Sequence, residues 1–127
     1  MWKSRLGKIW KHLKKPPQDI AWLYLKASWQ VENDEKRHRA YLAESVIWLT
    51  AFLSSNPTRD EAWKTAAYLR GELLRQLQMF EEGKAHFELL QKMEEFTKDA
   101  YPALIAYELE LIGKKDSLLH EMPKKGK

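Results

Sequence analysis

Four histidines, His12, His38, His86 and His120, are the side chains of this sequence best suited to metal binding or proton transfer. Helical zinc sites need two histidines four residues apart, with a glutamate beside the first when the metal is to activate water. No two histidines here stand in that relation, and each reads as a surface residue. The adjacent acids Glu81-Glu82 and Glu94-Glu95 point to different azimuths of a helix and read as solvated surface. No glycine-rich phosphate loop, serine elbow or paired-carboxylate motif is present. The absence of cysteine removes disulfides, thiolate metal sites and cysteine catalysis. These readings point away from an enzyme and imply neither metal nor cofactor.

Binding chemistry is better represented. Thr65, Tyr68, Glu72, Arg75 and Gln76 share one face of a helix, where a phenol and a guanidinium could hold a peptide by hydrogen bonds and pair with a carboxylate. Glu72 lies one turn from Arg75 and cancels part of its charge, so the same face also reads as solvated helix surface. A second candidate is residues 1–15. Trp2, Leu6, Ile9 and Leu13 form an apolar stripe, and Lys3, Arg5, Lys8, Lys11, Lys14 and Lys15 surround the rest. A basic amphipathic helix of this kind can lie on anionic lipid or contact nucleic acid. It can equally dock its stripe on the remainder of the chain and leave its lysines in water.

The elements that must position these residues are helical. The 127 residues are enough for one core, and neither a β-branched alternating run nor an 18-residue apolar span occurs. Lys and Arg number 22 against 18 Asp and Glu, but nine of the basic residues lie in residues 1–15 and 124–127, so the stretch between is mildly acidic. The basic start lacks the apolar run and cleavage site of a signal peptide. With the lack of cysteine, this fits a cytoplasmic protein.

Pro16-Pro17 separates the first helix from a second over 18–31. That helix is apolar on two sides, with Ile20, Leu23 and Ala27 on one and Trp22, Leu25 and Trp29 on the other, and should be sandwiched. A third helix spans 35–53 and ends before Pro57. Thr58 to Glu61 has the form of a capping box and opens a fourth helix, 59–77, with Trp63, Ala66, Ala67, Arg70, Leu73, Leu74 and Leu77 inside. A tight turn at Leu77, Gln78 and Met79 leads to a fifth, 80–97. Its second stripe, Leu89, Met93 and Phe96, should lie under a last helix, 102–112, with Gly113 as its cap. Three divisions follow: a basic N-terminal helix (1–15), a helical domain (16–122) and a disordered basic tail (123–127).

Within residues 68–90, Gly71, Phe80, Gly83, Phe87 and Leu90 resemble the pattern of a tetratricopeptide (TPR) repeat at motif positions 8, 17, 20, 24 and 27. Ala67 and Arg70 depart from it, standing where Trp and Leu are usual, and Gln78 replaces the turn glycine. The resemblance implies an all-α fold of about six helices, with antiparallel α-hairpins stacked as a short right-handed array. It also places Thr65, Tyr68, Glu72, Arg75 and Gln76 at the positions that line the concave groove. More broadly, Ala21-Trp22-Leu23-Tyr24 and YLRGELLRQLQMFEEGKAHF look like the helical C-terminal part of a bacterial family of unknown function. Members of that family carry a Cys-bearing segment that has no counterpart here, so its metal-binding role is not carried over. The expected function is a non-enzymatic interaction or scaffold module for a protein or peptide. Membrane-surface or nucleic-acid binding through residues 1–15, and a structural homodimer, are the alternatives.

Overall fold

Proline and short polar caps set the starts of the first three helices. The computed structural model describes residues 17–121, with side chains from Pro17 to Lys115 apart from Gln18. Its regular elements are α1 (Pro17–Gln30), α2 (Glu35–Ser55), α3 (Glu61–Gln76), α4 (Phe80–Gln91), a 3-10 turn (Glu94–Phe96) and α5 (Tyr101–Glu121). The described residues contain no strand, so the fold class is all-α. The expected first helix, the sixth of the count, lies outside the described residues, as does the tail 123–127.

Pro17 occupies the first position of α1, where its missing N–H costs nothing. The Asp34 carboxylate caps α2 by accepting from the Arg37 N–H at 3.2 Å. Asp60, rather than Thr58, caps α3, accepting from the Trp63 N–H at 3.0 Å. Thr58 is drawn off instead, its own N–H donating to the Asn56 side chain at 3.1 Å, an Asx turn that delays the helix by two residues.

Consecutive helices pack on one another, and α3 also touches α5. Ile20, Ala21 and Leu25 of α1 and Leu42, Leu49 and Phe52 of α2 are buried, with Ser28 and Ser45 among them. Both serines satisfy their hydroxyls on backbone carbonyls, Ser28 on Leu25 at 2.6 Å and Ser45 across the helix pair on Ala21 at 2.9 Å. His38 is tied there too, its Nδ1 donating to the Ser28 carbonyl at 2.8 Å. It is a joint between α1 and α2 rather than a plain surface residue. The far side of α1 is not sandwiched among the described residues: Trp22, Leu23 and Trp29 are exposed.

The α3–α4 pair closes through Gln78, which adopts φ 63°, the left-handed conformation that glycine would take without strain. The Met79 N–H returns to the Leu74 carbonyl at 2.9 Å, and Arg39 donates to the Leu77 carbonyl at 2.6 Å. Above the turn, Gly71 lies flat against the ring of Phe87. A Cβ on Gly71 would stand 2.4 Å from the ring edge, so only glycine fits. Gly83 is looser, its nearest neighbour being the Ile112 side chain at 3.4 Å.

Two helix ends differ from expectation. The fifth predicted helix stops at Gln91, and the chain turns through an extended Met93 into the 3-10 turn. This rotation carries Phe96 into the core, where its ring meets Tyr101 at 5.0 Å and Trp63 at 6.3 Å, while Leu89 is left exposed. The last helix runs through Gly113 to Glu121. Gly113 caps nothing; it is an exposed helix-interior residue with open space around it.

Candidate functional site: three faces of the third helix

Helix α3 carries the expected binding residues, and its surroundings decide what each can do. Its core side holds Trp63, Ala66, Ala67, Gly71, Leu73 and Leu74. The remainder of its circumference divides into three faces.

The first face is open. Trp22 of α1, Leu49 of α2, and Ala62, Thr65, Ala66 and Leu69 of α3 line a groove of about 180 Å³. Thr65 is its one polar side chain. Trp22 stands at its edge, 41% exposed, because α1 has turned its small and aliphatic residues toward α2 and left its indoles outside. Thr65 is among the residues expected to bind, but the groove beside it is not among the expected features. The signal was available, since Ala62, Thr65 and Leu69 follow helical spacing and Trp22 begins the second apolar stripe of α1.

The second face was expected to be free and is not. Glu108 of α5 projects onto it with 2% of its surface exposed. Its Oε2 accepts from the Tyr68 hydroxyl at 2.9 Å and its Oε1 from the Arg75 Nε at 2.7 Å. Glu72 adds a longer contact to Arg75, 3.8 Å. Burial, and then the bond to Glu108, push the Tyr68 phenol above its ordinary range, so it stays a donor. Burial followed by the Glu108 charge also raises Glu72, against the opposing pull of Arg75. A buried carboxylate must be paired to be tolerated, and Tyr68 and Arg75 supply that pairing.

Displacing α5 to free them would also expose Ile105 and Ile112, both buried, at about 1.5–3 kcal/mol for each such side chain. Tyr68 and Arg75 therefore serve as internal anchors. Of the five residues, only Thr65 and Gln76 are exposed. Glu108 was missed, although it sits on the buried stripe of Ile105 and Ile112 at +3 and −4. An acid on an apolar stripe is the mark of a buried, paired charge.

The third face carries Arg70. Its Nε donates to the Thr50 hydroxyl of α2 at 2.7 Å, and its Nη1 donates to His86 Nδ1 of α4 at 3.0 Å. The other ring nitrogen of His86 donates to the Ala67 carbonyl at 2.6 Å. These bonds define a neutral imidazole protonated at Nε2. Burial lowers the basicity of His86, the Ala67 carbonyl opposes that, and the Arg70 charge lowers it further. His86 is thus an interhelical joint, not a simple surface residue. Arg70 is half-buried at the rim of the core side rather than inside it.

Lys3, Arg5, Lys8, Lys11, Lys14 and Lys15 lie outside the described residues, as does His12. Among the described residues no three His, Asp or Glu side chains gather as a metal site, and no helix is long and apolar enough to cross a membrane. Compared with protein-family models, curated proteins and solved structures, the chain matches none.

Proposed function

We propose that this chain is a non-enzymatic, TPR-like interaction module whose α-hairpins stack side by side and whose groove between α1 and α3 receives a protein or peptide partner. The observation that carries this reading is the groove itself: an open, largely apolar hollow with an exposed indole at its edge. Such a surface suits a large apolar side chain of a peptide, with Trp22 as the stacking wall and the Thr65 hydroxyl as a hydrogen-bonding partner. The fit of Phe87 against Gly71 and the contact of α3 with α5 support the stacked-hairpin arrangement. The partner face moves accordingly, from the Tyr68–Arg75 side to the Thr65 side of α3.

Selection of a displayed random-peptide library on the full chain tests this reading. Selected peptides should share a bulky apolar anchor, and Thr65→Trp, which fills the groove, should weaken them at least tenfold. Peptides that bind Thr65→Trp as tightly as the parent would place the partner elsewhere and refute the groove assignment.

A further inference from the structure

Arg70 is a guanidinium with fixed geometry and no counter-charge among the described residues. Arg37 pairs with Asp34, Arg59 with Glu95, and Arg75 with Glu108 and Glu72. Arg70 has no carboxylate partner among the described residues; the groups that hold it, the Thr50 hydroxyl and the His86 imidazole, are both neutral acceptors. Nη2, with its two N–H donors, makes no hydrogen bond within the described residues. The guanidinium is also partly desolvated, which weakens its hold on charge. A half-buried cation without an anion is an unfavourable arrangement that a bound anion relieves.

The site is built from three elements. Thr50 comes from α2, Arg70 from α3 and His86 from α4, and His86 is itself fixed by Ala67. A guanidinium held at two of its nitrogens has already lost the rotamer freedom that a free arginine gives up on binding. Its remaining planar edge matches an oxyanion. We propose that Arg70, held between Thr50 and His86, is an oxyanion-binding site that takes a phosphate or carboxylate group on its free Nη2 edge. Arg70 is five residues beyond Thr65, about 140° around a helix of 3.6 residues per turn. One turn beyond Ala66, the site borders the α1–α3 groove but shares none of its lining residues. It also falls where the chain departs from the repeat pattern, with arginine in place of leucine.

The test is a titration of the full chain, labelled at histidine and arginine nitrogen, followed by NMR at pH 7.5 and constant ionic strength set with chloride. Inorganic phosphate and acetate are the two probes. Saturable shifts of Arg70 Nε–H and the His86 ring are expected with at least one of them. Saturation by phosphate alone assigns a phosphoryl ligand, and saturation by acetate assigns a carboxylate. Arg70→Gln should weaken binding at least tenfold. Thr50→Val, a near-isosteric surface change that frees Nε, should weaken it severalfold with the fold intact, which covers the event that Arg70→Gln does not fold. Shifts that stay linear for both anions, or that persist unchanged in both variants, overturn the proposal.

Discussion

Single atoms decide several outcomes in this protein. Adding a methyl to Gly71 would drive Cβ into the Phe87 ring. Gly71→Ala should therefore lower stability by about 1–3 kcal/mol, read as a fall in the urea midpoint. Gly113→Ala should do the reverse. Gly113 lies inside α5 with nothing nearby, and removing its backbone freedom should add about 0.5–1 kcal/mol. His86 adds a pH dependence. Its folded basicity is depressed, so below the unfolded value of about 6.5 the unfolded chain binds more protons than the folded one. The stabilisation is complete above that value and is lost as pH falls through and below it. Glu72, whose folded carboxyl is raised, works in the opposite sense at more acid pH. Comparison with His86→Gln, which has a donor and an acceptor but no titration, isolates the histidine: between pH 7.5 and 5.5 the parent should lose melting temperature faster than the variant.

At the scale of elements, the helices and most of their starts were legible because Pro17, Pro57 and the short polar caps act locally. The ends were less so. Gly113 looked like a cap, yet a penalty of about 1 kcal/mol does not stop a helix whose next turns can still form. The end of α4 at Gln91 has no glycine or proline to announce it; Phe96, buried between Trp63 and Tyr101, sets the path of the chain there. The closure of the Tyr68 face was hidden for a similar reason. Glu108 is 40 residues from Tyr68 and 33 from Arg75, beyond any helical period. The anchoring role assigns different costs to its members. Arg75→Ala leaves a buried carboxylate short of its cation and should cost about 3–5 kcal/mol. Tyr68→Phe removes one hydrogen bond to a charged group and should cost about 1.5–3 kcal/mol. Chemical denaturation of both variants checks the order, and equal, negligible effects would contradict the assignment.

Across the whole molecule, α3 is the shared wall. Its core side holds the fold, its Glu108 side docks α5, its Arg70 side is tied to α2 and α4, and its Thr65 side is left open beside Trp22. Deletion separates the two roles open to residues 1–15. If their Trp2, Leu6, Ile9 and Leu13 stripe covers α1, deleting them should lower the melting temperature; if they act on lipid or nucleic acid, the deletion should abolish that binding and spare the fold. Whether the Thr65 side receives the partner is read from amide and indole NMR shifts on titration with a library-selected peptide. The largest shifts should fall on the Trp22 indole N–H and on Ala62, Thr65 and Leu69. Shifts centred on Tyr68, Arg75 and Glu108, with Trp22 unmoved, would contradict that placement.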